Sequence, residues 1–155
     1  MKINDYDIIL KQAYEVLNAD PHYIPALSNL SAVLMNALRD LNWAGFYILR
    51  GNVLVVGPFQ GKPACIHIPA GKGVCGTAAA SGRMINVPDV HSFPGHIACD
   101  SASVSEIVIP IHKKGIIAGV MDIDSPVAGR FSAEDENGLQ KIVEMIEKYI
   151  VWEES

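Results

Sequence analysis

Apolar residues recur along the chain first at helical and then at strand spacing. Tyr6, Ile9, Leu10, Ala13 and Leu17 share one face of a predicted helix that Asn4 can cap and that ends near Asn18, ahead of Pro21. Leu27, Leu30, Leu34, Leu38 and Leu41 form a second stripe, predicting a helix from about Tyr23 to Asp40 with Pro25 in its first turn. From Trp43 the period shortens. WAGFYILR and VLVVG flank Gly51-Asn52 and read as a β-hairpin, and Cys65 to Ile68 reads as a further strand. PAGKGVCGTAAASGR predicts a loop entering a short helix near Ala78 to Ala80, which Gly82 can end. After it, Pro88 to Ser103 is a loop long enough to suggest function. EIVIPIH and IIAGVMDID are two final strands, joined at Lys113-Lys114-Gly115. Ser132 and Asp135 then give a capping-box signature ahead of a last helix with Leu139, Ile142, Val143, Ile146 and Ile150 on its inner face. The sum is an α/β fold in a single domain spanning 1–155, a central antiparallel sheet flanked by N-terminal and C-terminal helices.

Composition narrows the function classes. The 155 residues are 50% hydrophobic and 19% charged, the balance of a chain that builds a core without disulfides. A net charge of -5, with Lys and Arg scattered, is the wrong footprint for nucleic acid. No apolar run approaches the ~20 residues of a membrane span, and MKINDYDIILKQ has acids where a secretory signal needs a basic flank, so the expectation is cytoplasmic. Three cysteines in a reducing compartment disfavour a structural disulfide framework.

The thiols are the first candidate chemistry. In GHIACDS, His96 and Asp100 push the Cys99 thiol in opposite directions, and the plain alternative is a small apolar plug beside Ile97. Cys75 sits where a Gly-rich loop feeds a helix, so peptide N–H groups favour an anion there. Spacing alone ranks it above Cys99 as nucleophile. Cys65, after Pro63, reads as a buried thiol. Zinc ligation by these cysteines with His91 and His96 lacks any Cys-x-x-Cys pair, and GKGVCGTA lacks the lysine and hydroxyl of a phosphate loop, so neither metal nor cofactor is expected. A hydrolase would need His91 or His96 as an oriented base. Asp122 and Asp124 stand two apart on a strand and face the same way, with Glu106 across from them if the hairpin closes. Such acids repel unless a cation, metal or ammonium, sits among them; otherwise they mark a solvated strand end. Trp43 and Tyr47, four apart, share a face as core or as a pocket wall.

The blocks NWAGFY, GPFQGKPACIHIPAGKGVCGTAAA, VPDVHSFPGHIACDSASVSEIVIPI and GVMDIDSP resemble the free methionine-(R)-sulfoxide reductases, a GAF-domain family. The similarity runs from Trp43 to Phe131. It implies a single GAF domain and a reaction in which Cys99 attacks the sulfoxide, becomes a sulfenic acid, and is resolved by Cys65, with Cys75 assisting by exchange. It also implies Glu106, Asp122 and Asp124 as substrate-binding acids and Trp43 and Tyr47 as the aromatic wall. The implied partners are free methionine-(R)-sulfoxide and thioredoxin or a similar dithiol protein, with a homodimer left open. The competing class is a GAF module that senses a small ligand without turnover and needs none of the thiols.

Overall fold

A computed structural model of the chain describes residues 5–97 and 99–153. Two helices, α1 (Tyr6–Ala19) and α2 (Tyr23–Ala37), lead into a six-stranded antiparallel sheet. Its strands are β1 (Trp43–Arg50), β2 (Val53–Gly61), β3 (His67–Pro69), β4 (Ile85–Val87), β5 (Ser105–Lys113) and β6 (Ile116–Ser125), in spatial order β3-β2-β1-β6-β5-β4. Helix α3 (Gly73–Ser81) interrupts the strands, and α4 (Ala133–Tyr149) closes the fold.

Strand alternation sorts side chains onto two faces. Ala44, Phe46 and Ile48 of β1, Met121 and Ile123 of β6, and Ile107, Ile109 and Ile111 of β5 pack with the apolar stripes of α1, α2 and α4 into one buried cluster. On the opposite face Trp43, Tyr47, Val108 and Val120 pack with Val74, Cys75, Ala78 and Ala79 of α3. The sheet therefore has a helix-covered stability side and a second side whose small cover is α3.

Local chemistry explains the element ends. Ser132 and Asp135 make the reciprocal capping box, each side chain accepting from the other's backbone N–H, and Asp135 also accepts from the buried Tyr6 hydroxyl at 2.7 Å. Burial and the Asp135 carboxylate push the Tyr6 hydroxyl upward, so it stays a donor. The expected cap Asn4 lies outside the described residues; Asp5 occupies the capping position, without a side-chain bond. Helix α2 stops at Ala37, short of Asp40, where the chain turns through a left-handed Asp40 into β1.

Helix α3 begins at Gly73, five residues before the expected start, and so takes in Cys75. Glycine there meets a packing demand: a Cβ on Gly76 would lie 2.5 Å from the Pro69 carbonyl oxygen. Gly82 ends the helix in the left-handed conformation, as expected. The strand expected over Cys65 to Ile68 pairs only from His67, although the Val56 N–H donates to the Ile66 carbonyl at 3.0 Å. Strand β4 and a 3-10 turn at Val90–Ser92, capped by the Asp89 carboxylate, break up the long segment before β5.

Candidate active site

The register of the sheet sets the acids side by side. Trp43 of β1 pairs with Asp124 of β6, and Asp124 pairs in turn with Glu106 of β5, so three strands carry one row of functional side chains. Asp122 falls between Gly45 and Val108 in the next row of the same face. The Lys113-Lys114-Gly115 hairpin closes as the sequence predicts, which is what brings Glu106 to the two aspartates.

Helix α3 lays Cys75 over this row. Cys75, Glu106 and Asp122 each bring a ligand atom to within 4.8 Å of the others, and all three are buried. A cation fits that spacing. The Cys75 thiol donates to Glu106 Oε2 at 3.8 Å. Burial, then the carboxylates of Asp122, Glu106 and Asp124, push this thiol up, so Cys75 is held as a neutral donor. Spacing suggested the opposite, because it registered the helix terminus and could not register the acids beneath it. As a thiolate nucleophile Cys75 is the poorer candidate.

The acids themselves are crowded. Burial and the adjacent Asp124 push Asp122 up to about 7, and burial with mutual repulsion pushes Glu106 and Asp124 well above the carboxylate range. Glu106 and the two aspartates crowd one another, so the three carboxyls titrate together and the cluster favours retained protons. Buried Oδ1 atoms on Asp122 and Asp124 have no hydrogen-bond partner. No ion pair among the described residues involves the three acids. Orphaned buried acceptors without an ion-pair partner among the described residues describe a site shaped for a positively charged or proton-donating guest.

The remaining wall is aromatic. Trp43 and Tyr47 stack at 5.8 Å between centroids, and Phe59 continues the stack on Trp43 at 5.0 Å. Their polar ends hold the cysteine-bearing segment: Trp43 Nε1 donates to the Lys62 carbonyl at 3.1 Å and the Tyr47 hydroxyl to the Cys65 carbonyl at 3.2 Å. Burial and the nearby acids push the Tyr47 hydroxyl upward, which keeps it a donor.

Cys65 and Cys99 are joined by a disulfide, Cα atoms 5.5 Å apart across 34 residues of sequence, and Cys75 is the free thiol. Cys99 lines the cavity bounded by Trp43, Tyr47, Cys75 and the three acids. Asn42, which sequence reasoning passed over, secures its loop. The Asn42 side chain donates to Asp100 Oδ2 and to Ser103 Oγ, both at 3.0 Å, while its backbone N–H donates to the Asp124 carbonyl at 3.0 Å. One residue thus fastens the Cys99 loop to the acid-bearing strand. Lys72 also reaches the cavity, from the start of α3. Its only signal in the sequence was a cation inside a Gly-rich loop.

The histidines separate. His96 lines the cavity, its imidazole held low first by burial and then by His91, whereas His91 is exposed and bonded to Asp89 at 2.9 Å. The zinc set of three cysteines and two histidines is not assembled, since two of the thiols are spent in the disulfide. No carboxylate orients the His96 ring among the described residues, so the hydrolase arrangement is not assembled either.

Comparison with known proteins agrees with this geometry. The family model described as GAF domain matches residues 6–150. The free methionine-R-sulfoxide reductase of Escherichia coli is 53% identical over 135 residues, which is 87% of this chain and 82% of that protein. The reduced form of fRMsr from Staphylococcus aureus superposes with a TM-score of 0.92 at 51% identity, covering 97% of this chain and 99% of that one. The same protein in complex with substrate gives a TM-score of 0.90 at 50% identity, covering 97% and 100%.

Proposed function

The chain belongs to the GAF-domain family and within it to the free methionine-R-sulfoxide reductases, and on that premise we propose that it reduces free L-methionine-(R)-sulfoxide through Cys99. One observation carries the reading: the Cys65–Cys99 disulfide borders a cavity lined by buried acids that have no cationic partner. The Cys99 thiolate attacks the sulfoxide sulfur. As the sulfur–oxygen bond breaks, the oxygen passes to Cys99 with a proton from the acid cluster, leaving methionine and a cysteine sulfenic acid. Glu106, pushed well above the ordinary carboxylate range by burial and by Asp122, is suited to supply it. Cys65 then attacks the sulfenic sulfur, expelling water and forming the disulfide. Thioredoxin or a similar dithiol protein returns both thiols.

Substrate recognition follows from the same groups. Asp122 and Asp124 offer orphaned acceptors to an ammonium group, Trp43 and Tyr47 face the methyl and methylene carbons, and Cys75 holds the acids in place through Glu106. The free amino acid is preferred over a peptide-bound residue, because a neutral amide cannot satisfy those acceptors. The test is methionine formed from the free (R)-sulfoxide with a thiol reductant. Cys99→Ser is expected to form none even in a single turnover. Cys65→Ser is expected to form about one equivalent before stalling with a protein dithiol, since reduction precedes the disulfide. N-acetyl-methionine sulfoxide at equal concentration is expected to react far more slowly. Full single-turnover product from Cys99→Ser would move the attack to another thiol.

A further inference from the structure

The disulfide is not symmetric with respect to the cavity. Cys99 lines it and Cys65 does not, although both are half-buried. Next to Cys65, Ile66 is 62% exposed, a large apolar side chain in water, and Ile97 beside the Cys99 end is 37% exposed. The Ile66 backbone is tied down: its carbonyl accepts from Val56, and its neighbour Cys65 accepts from the Tyr47 hydroxyl. Other large apolar side chains are exposed elsewhere on the molecule, and Ile66 differs from them in adjoining a reducible bond on a backbone held by hydrogen bonds.

Resting on the disulfide recycling proposed above, we infer that Ile66, with Ile97 at its margin, is the docking surface for a dithiol protein, and that this partner attacks Cys65. Thiol–disulfide exchange runs in line: the incoming thiolate approaches one sulfur from the side opposite the sulfur that leaves. Cys99 borders the cavity with Trp43 and the acids, whereas Cys65 adjoins the exposed Ile66, so the inferred approach to Cys65 is over Ile66. The partner's thiolate forms a mixed disulfide with Cys65 and displaces Cys99 as thiolate, already at the cavity. The partner's second thiol then attacks the partner's own sulfur, releases Cys65, and leaves the partner as a disulfide with two electrons transferred. On this inference a protein that bonds covalently to Cys65 covers Ile66, so its surface around the reactive thiol is apolar.

Two measurements test this. The first compares Ile66→Asp and Ile66→Leu with the native chain in methionine formation driven by thioredoxin or by dithiothreitol. Ile66→Asp is expected to lower kcat/KM for thioredoxin about tenfold, the effect of losing an interface residue worth somewhat over 1 kcal/mol, with dithiothreitol turnover unchanged and Ile66→Leu near native. Unchanged thioredoxin kinetics, or an equal loss with dithiothreitol, overturns the docking role. The second measurement needs no methionine sulfoxide. Thioredoxin lacking its second active-site cysteine is incubated with the disulfide form, and the trapped adduct is digested and mapped by mass spectrometry. A bond to Cys65 is expected, and a bond to Cys99 overturns the assignment. A native chain inert toward methionine sulfoxide with dithiothreitol, yet trapping thioredoxin at Cys65, would defeat the proposed substrate and leave the docking surface standing.

Discussion

Buried beneath Cys75 and beside Glu106, the Asp122 carboxyl holds its proton up to about 7 where an ordinary aspartate releases it near 3.8. Between those two values the folded chain keeps a proton that the unfolded chain has lost, so unfolding becomes easier as pH rises through the window and levels off above it. Below 3.8 both forms are protonated and the penalty is absent. Glu106 and Asp124, also raised, act in the same direction and extend it upward. We expect the melting temperature of the substrate-free protein to fall from about pH 4 toward pH 7, and Asp122→Asn to flatten part of that slope. Differential scanning calorimetry across the range checks it; a melting temperature that rises with pH and ignores the substitution would contradict the burial argument. A bound ammonium group favours ionised Asp122, so substrate KM is expected to fall as pH rises toward 7, the value to which burial raises this carboxyl.

At the scale of elements, the Cys99 loop is tied, besides its disulfide, by the side chain of Asn42, the residue just ahead of β1. Asn42→Ala removes two donated hydrogen bonds, each worth about 1 kcal/mol, so methionine formation in a single turnover is expected to slow by up to about thirtyfold. Turnover rate should fall more than substrate affinity, because the acids and Trp43 are untouched. Equal losses in both, or a collapse of the fold on heating, would make Asn42 merely structural. The latch was not legible in NWAGFY, since nothing along the chain says that Asp100 and Ser103 return to Asn42. What alternation does encode is the shared face of Asp122 and Asp124 and the hairpin that sets Glu106 against them. Helix α3 was half legible. Its C-terminal Gly82 was read correctly, yet its start was hidden by Gly73 and Gly76, which count as loop residues until packing on Pro69 is known. Strand β4, only Ile85–Val87, is too short to show a period.

Across the whole molecule the sheet divides its work between two faces, with α1, α2 and α4 on one and the reactive groups with α3 on the other. Phe46→Ala, on the helix-covered face, is expected to cost about 3 to 5 kcal/mol of stability while the rate per folded molecule stays near native. Urea unfolding alongside single-turnover assays separates the two. The ring closed by the Cys65–Cys99 bond joins residues 34 apart and encloses the two edge strands β3 and β4 with α3, the cover of the candidate-site face. Cross-linking a loop of that size restricts the unfolded chain by about 3 to 4 kcal/mol, which for a chain of this length raises the melting temperature by roughly 10 °C. On the proposed cycle durability is tied to work done: a molecule that has just completed a reduction would be the hardest to unfold and to digest, and one recharged with thiols the easiest. In a cell short of reducing equivalents the idle population would persist against proteolysis, ready to resume when thiols return.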